Sequence, residues 1–298
     1  MNPIFTLARR MSGKSLLFSL LLLCLFLFLA APADAAVKPG AEEHWFNKGL
    51  QYDSRQDYNK AIAAYSQAIA LNPQYADAYY NRGNAYKNSG EYDNAIADYT
   101  QVIALAPQNM DAWRSRGDVY AEKGDYDKAV TDYTQFIALE PQNAEAHNNR
   151  GIAYSDKGDY DTAITDYTRA IALQPKYATA YYNRGIAYKN KGDYDKAIDD
   201  YSQAIALNPR DASAYNNRAN AYVMKGDYDK AITDYSLATT LDPDYAVAYY
   251  NQALACEKAG RLAEAAAAYR AFISHGSNQD EEEVTYAHQR LAAIGGDR

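Results

Sequence analysis

Cysteine is nearly absent: the 298 residues hold two, and Cys24 falls in an apolar N-terminal stretch, so the rest of the chain keeps Cys256 alone and closes no internal disulfide. Stability must then come from burial. Cys256 occupies a place where six equivalent sites along the chain carry tyrosine, which marks it as a packed side chain and not a reactive thiol. Histidine is equally scarce. His44, His147, His275 and His288 stand at no metal-ligand spacing, so no metal site is expected. Also missing are a glycine-rich phosphate cradle, a Gly-x-Ser-x-Gly elbow and any Cys/His cluster, and the chain reads as a non-enzyme that needs no cofactor. Basic residues are outnumbered, 30 Lys and Arg against 38 Asp and Glu. That balance argues against a nucleic-acid partner, whose phosphates demand a basic surface, and favours solubility.

Long apolar runs are absent except for one at the start. Arg9, Arg10 and Lys14 precede an unbroken run from Leu16 to Ala31, which closes on Ala33-Asp34-Ala35. This is the layout of a secretory signal, residues 1–35, cut before Ala36. The run is shorter than the ~20 residues of a spanning helix. An uncleaved anchor is the rival reading and would be the chain's only route to a membrane. A lipid on Cys24 lacks the small residues before it, and Met11-Ser12-Gly13 after the arginine pair departs from a twin-arginine signal. The expected location is periplasmic or secreted. Without residues 1–35 the balance is 27 basic against 37 acidic, a net charge of −10.

What is abundant is repetition. Pro73, Pro107, Pro141, Pro175, Pro209 and Pro243 stand 34 residues apart with no insertion or deletion, the signature of a solenoid. The unit is clearest from Ala178, taken as position 1, to Asp211. Tyr181, Gly185 and Tyr188 (positions 4, 8 and 11) form one helix face, and Ala197, Tyr201 and Ala204 (positions 20, 24 and 27) form a second. Between them, Lys191-Gly192-Asp193 supplies a glycine able to take positive φ and an aspartate able to cap the second helix, while Pro209 ends that helix. The unit is a helical hairpin.

These residues, with the aromatic, glycine or alanine, tyrosine, alanine, tyrosine, alanine and proline at positions 4, 8, 11, 20, 24, 27 and 32, resemble the tetratricopeptide repeat family, and the pattern recurs seven times in phase. The resemblance implies an all-α fold, a right-handed superhelical solenoid of seven hairpins whose concave groove takes peptide segments or partner proteins. After a linker, 36–41, the repeats run 42–75, 76–109, 110–143, 144–177, 178–211, 212–245 and 246–279, and are expected to form one cooperative array. The ends differ, as ends of an array should: Gln56 replaces the turn glycine in the first repeat, and Cys256 and Gly276-Ser277 replace tyrosine and proline in the last. Residues 280–298 are read as a capping helix and tail, with Val284, Ala287, Leu291 and Ile294 on one stripe.

Thirty tyrosines against seven phenylalanines and two tryptophans are explained by positions 4, 11, 17 and 24. Base stacking or sugar binding is one use for them; core packing with the hydroxyl at the edge is the expected one. The carboxylates of the Gly-Asp-Tyr-Asp turns recur in nearly every hairpin and are read as helix caps, not as acid/base pairs. Positions 7 and 23 vary together. Arg82, Arg116, Arg150, Arg184 and Arg218 accompany Asp98, Asp132, Asp166, Asp200 and Asp234, while the end repeats carry Lys48 with Ala64 and Gln252 with Ala268. An Arg–Asp pair inside each hairpin, structural and not ligand-binding, fits all seven.

Position 6 is Asn47, Asn81, Ser115, Asn149, Asn183, Asn217 and Asn251, asparagine in six repeats of seven. At ~100° per residue it lies about 200° from positions 4 and 8 and so points away from the hairpin's own packing. Positions 2, 9 and 13 share its face, adding Asn84 and Asn220, with the position 5 aromatics Phe46, Tyr80, Tyr182 and Tyr250 beside them. In the tetratricopeptide fold this stripe resembles the concave groove. A carboxamide offers donor and acceptor, so the asparagine ladder would hold the backbone of an extended peptide. Replacing Asn149, Asn183 and Asn217 by alanine is then expected to weaken capture and leave or slightly raise stability. Position 2 carries Glu43, Asp77, Asp111 and Glu145 in the first four repeats, which favours a basic segment there. The function expected is a non-catalytic protein- or peptide-binding scaffold of the cell envelope. A self-assembling structural module and a regulatory subunit acting on an enzyme in trans are the alternatives.

Overall fold

The computed structural model describes residues 40–275 and 281–295; the expected signal segment, residues 36–39 of the linker, 276–280 and the last three residues lie outside them. The described residues contain fifteen α-helices and no strand. They divide into two compact units, one ending at Ala85 and one beginning at Tyr86.

In the first unit, α1 (Ala41–Asp53) and α2 (Tyr58–Leu71) form a hairpin against which Ala78 and Ala85 of α3 (Ala76–Asn88) pack. Tyr65, Ala61 and Ala85 are its centre, closed by Phe46, Tyr52, Tyr58 and Ile62. The turn between α1 and α2 passes through Gln56 at φ 60°, the one non-glycine with positive φ among the described residues. A side chain there costs about 1 kcal/mol or more of backbone strain.

The second unit continues with α4 (Tyr92–Leu105), α5 (Met110–Glu122), α6 (Tyr126–Leu139), α7 (Ala144–Asp156), α8 (Tyr160–Leu173), α9 (Ala178–Asn190), α10 (Tyr194–Leu207), α11 (Ala212–Lys225), α12 (Tyr228–Leu241), α13 (Ala246–Lys258), α14 (Leu262–His275) and α15 (Glu281–Ala293). From α5 onward each odd-numbered helix to α13 pairs with the even-numbered helix that follows it, and each pair packs on the next. The hairpin turn is set by glycine: Gly192 sits at φ 81°, between α9 and α10. The close approach of those helices is set by another glycine, because a Cβ on Gly185 would stand 2.8 Å from Tyr201 Cε1. Alanine fills the same place in α11 and α13, as Ala219 and Ala253, so the spacing is adjustable by a methyl group.

Burial follows the tyrosine pattern only in part. Tyr133, Tyr167, Tyr201, Tyr235 and Tyr269, all at position 24, are buried, whereas Tyr181, Tyr188 and Tyr194, representing positions 4, 11 and 17, are half-buried. Position 24 is enclosed by the hairpin and its neighbour; the other three lie at the hairpin's edge. The turn carboxylates also divide. Asp159 and Asp193 accept the backbone N–H of Thr162 and Lys196, at 3.2 and 3.4 Å. Asp125 and Asp227 cap no N–H with their side chains and hold Lys128 and Lys230 at 2.5 and 3.0 Å, whereas Asp193 does both, capping Lys196 N–H with one oxygen and holding Lys196 Nζ with the other at 2.6 Å. At the C-terminal end, α15 buries Ala287 and Leu291 against the α13–α14 hairpin, with Val284 and Ile294 packed beside them. Arg290 reaches back to both oxygens of Glu257.

Candidate functional site

Two surfaces of the second unit carry polar side chains in register. The first is the seam inside each hairpin. Arg116 donates through Nε and Nη2 to both oxygens of Asp132 at 2.8 Å, and Arg150, Arg184 and Arg218 do the same to Asp166, Asp200 and Asp234 at 2.7 to 2.8 Å. The carboxylates are 3 to 7% exposed and the guanidinium groups 14 to 21%. Each arginine has a third partner: its Nη1 donates to a hydroxyl of the preceding hairpin, Thr100, Thr134, Thr168 and Ser202 for Arg116, Arg150, Arg184 and Arg218. In the first unit Arg82 likewise reaches Ser66, and in the last hairpin Gln252 reaches Ser236. The guanidinium also stacks on aromatics: Arg184 lies 5.7 and 6.0 Å from the rings of Tyr181 and Tyr188, and Arg116 5.0 Å from Trp113. One side chain therefore ties its own hairpin shut and staples it to the hairpin before. The hydroxyl was detectable in the sequence as Ser or Thr at position 25 of six repeats, Ser66 to Ser236.

The second surface is the face of the first helices, α5, α7, α9, α11 and α13, where position 6 lies. Here the asparagines are occupied with each other. Asn183 donates to Asn148 Oδ1 at 3.1 Å, Asn217 to the Tyr182 hydroxyl at 2.8 Å, and Asn251 to Asn220 Oδ1 at 3.5 Å. Asn148 in turn donates to Asn149 at 3.4 Å. Each link joins one first helix to the next, except the last, which stays within one residue of its neighbour. The ladder is thus a chain of carboxamides between hairpins, and its N–H groups are partly spent before any ligand arrives. In the first unit Asn47 is exposed and Asn81 donates to Asp77 O of its own helix; Tyr80 and Asn84 are half-buried. Phe46 packs 5.0 Å from Tyr75, and Tyr250 packs 5.0 Å from Phe272, so these two position 5 aromatics belong to the core.

Position 5 also holds residues that sequence reasoning passed over. Asn148 and Asn216 are buried, and Asn216 Oδ1 has no hydrogen-bond partner among the described residues. Position 9 repeats one device with two chemistries: Tyr133 donates to Asp118 at 2.8 Å, and Tyr235 donates to Asn220 at 2.5 Å. Burial pushes the Asp118 carboxyl above its ordinary range, while the Tyr133 hydroxyl pulls it back down. Near Asn220 and Asn251 the face opens into a recess of about 510 Å³, walled by Val223, Met224, Leu254 and Tyr194 with Lys189 and Lys258 at its edge. No repeat-wide pattern marked it, since Val223 and Met224 depart from the polar or small residues that the other repeats carry at positions 12 and 13.

Among the described residues no three His, Cys, Asp or Glu side chains are grouped as metal ligands, and no helix is long and apolar enough to cross a membrane. Cys256 is buried and its thiol is pushed up to about 11 by desolvation, which keeps it protonated near neutrality.

Family models described as "Tetratricopeptide repeat" match residues 76–109, 178–211, 212–245 and 246–274, and one described as "TPR repeat" matches 49–90, 117–158 and 153–192. No curated protein sequence matches this one. Among solved structures, the MamA protein is 31% identical, with 57% of this chain and 93% of MamA covered and a TM-score of 0.52. A tetratricopeptide repeat protein from Parabacteroides merdae ATCC 43184 is 23% identical over 85% of this chain and 98% of its own, with a TM-score of 0.64. YrrB, described as a TPR protein with an unusual peptide-binding site, is 24% identical over 62% of this chain and 95% of its own, with a TM-score of 0.51. Helical hairpins in sequence order, the tyrosine core and these matches lead to one assignment: the chain belongs to the tetratricopeptide repeat family.

Proposed function

We propose that the protein is a non-catalytic scaffold of the cell envelope that holds an extended polypeptide along the face of its first helices. The observation that carries this is the row of carboxamides at position 6, one on each of α7, α9, α11 and α13, running beside the recess at Asn220 and Asn251. Asn183 and Asn217 each keep an Oδ1 with no donor among the described residues, so a backbone N–H of a bound strand has acceptors at hairpin spacing. Membership of a repeat family built for protein contacts supports a polypeptide partner, and the N-terminal charge and hydropathy pattern supports export.

Binding to an immobilised library of 12-residue peptides tests the face. The triple variant Asn149→Ala, Asn183→Ala, Asn217→Ala should lose at least tenfold in affinity. It should also be less stable, because removing the Asn183 amide strips the donor from buried Asn148, a cost of about 1–3 kcal/mol. This reverses the neutral or stabilising effect expected from helix propensity alone. Unchanged affinity in a folded triple variant would remove the proposal. For location, the intact mass of the native protein should begin at Ala36; a chain retaining Met1, or a lipid on Cys24, contradicts export with cleavage.

A further inference from the structure

We infer that the recess bounded by α9, α11 and α13 selects an apolar side chain flanked by carboxylates on the bound polypeptide. The inference rests on the reading of the first-helix face as the binding surface, and it names the chemistry of the segment bound there.

The recess combines an unusual apolar wall with free positive charge. Met224 is 60% exposed, more than any other large apolar side chain among the described residues. The equivalent position is Glu122, Asp156, Asn190 and Lys258 in the other hairpins of this unit, so an apolar residue there is a departure from the pattern. Val223 and Leu254 extend the wall, and Tyr194 closes it. A volume of about 510 Å³ falls within the roughly 300–1,000 Å³ typical of ligand sites. Methionine adapts its shape to the group it meets, which suits a site for one side chain of a flexible partner.

Charge decides what stands beside that side chain. Lys189 and Lys258 make no ion pair among the described residues. Nearby lysines are engaged: Lys191 with Asp161, Lys225 with Asp195 and Lys196 with Asp193. No carboxylate lines the recess, and Glu257, next to Lys258 in sequence, is held by Arg290. Two cations with no carboxylate at ion-pair distance, over low-dielectric walls, attract carboxylates and repel a basic segment. The other end of the unit's face keeps an excess of acid, since among the described residues Asp111, Asp118, Glu122 and Glu145 on α5 and α7 meet only Arg114, paired with Asp111 and Glu145, and Lys87, paired with Glu122. An occupant whose acidic, apolar part sits over α11 and α13 matches this gradient.

Three labelled 12-residue peptides in a Gly/Ser background test it: one centred on Glu-Leu-Glu-Phe-Glu, one on Lys-Leu-Lys-Phe-Lys and one on Glu-Ser-Glu-Ser-Glu. Fluorescence anisotropy with the full exported chain should show the first bound at least tenfold tighter than either other. Lys189→Glu with Lys258→Glu should invert the order of the first two. Met224→Glu should abolish the advantage of the first over the third, with thermal melting unchanged because the side chain is exposed. Equal binding of all three, with sensitivity to the asparagine variants kept, overturns the recess and leaves the face standing. No binding by any peptide overturns both, as does displacement by dodecanoate of a fluorescent fatty acid bound in the absence of peptide binding.

Discussion

The seam within each hairpin and the face of the first helices lie on the same α-helices, yet they are built to opposite rules. Along the seam, Arg116, Arg150, Arg184 and Arg218 repeat one geometry within about a tenth of an ångström. Along the face, position 5 passes through Arg114, Asn148, Tyr182, Asn216 and Tyr250, and position 9 through Asp118, Ile152, Ile186, Asn220 and Leu254. The difference teaches which constraint each surface obeys. Every hairpin must close at the same angle for the next to stack, so one solution is copied. The internal partners of the face are of several kinds, Asn148 for Asn183, Tyr133 for Asp118, Phe272 for Tyr250, so no one geometry has to recur and its side chains differ; the proposed selectivity for a ligand rests on that difference.

Breaking the seam should have the largest effect. Asp200→Ala leaves Arg184 with a half-buried charge and no carboxylate, and should cost about 3 kcal/mol in urea unfolding. Binding of peptides to the face should fall only in proportion to the unfolded fraction. A cost below 1 kcal/mol would mean that the seam is no stronger than a surface pair.

A smaller effect sharpens the same contrast on the face. Burial holds the Asp118 carboxyl above its ordinary value, so the folded state prefers the protonated form. Its contribution to stability is present below the ordinary carboxylate range and is lost as pH rises through the raised value. Asp118→Asn keeps an acceptor for Tyr133, as Asn220 does for Tyr235, and should raise the melting temperature at pH 7. The gain should vanish below about pH 4, where the wild-type carboxyl is protonated. A variant that melts earlier than wild type at pH 7 would contradict the assigned burial effect.

The smallest effect is expected at the exposed rungs between hairpins, such as Lys191 with Asp161 and Lys225 with Asp195. They recur as regularly as the seam but stand in water. Lys191→Ala should leave the unfolding midpoint unchanged in 0.5 M salt (roughly the concentration at which exposed pairs are screened), which separates regularity from energetic weight.

The sequence by itself determined the hairpin, because period, turn glycine and helix-ending proline are local instructions repeated until no other reading fits. Gly192 at φ 81° and the buried Tyr201 follow directly from them. It also displayed Arg and Asp varying together, because both partners lie in one repeat. What the tertiary structure decided is everything that passes between repeats. The hydroxyls of Thr168 and Ser202 under the next arginine, the link from Asn183 to Asn148, and the recess at Met224 depend on how far one hairpin is rotated against its neighbour. That rotation is fixed by the packing of many side chains at once, so residues 16, 31 or 35 apart become neighbours without any local signal. The asparagines show the consequence: helix angles placed them on one face, and only the stacked hairpins brought the amides of Asn183, Asn217 and Asn251 to acceptors on the hairpin before.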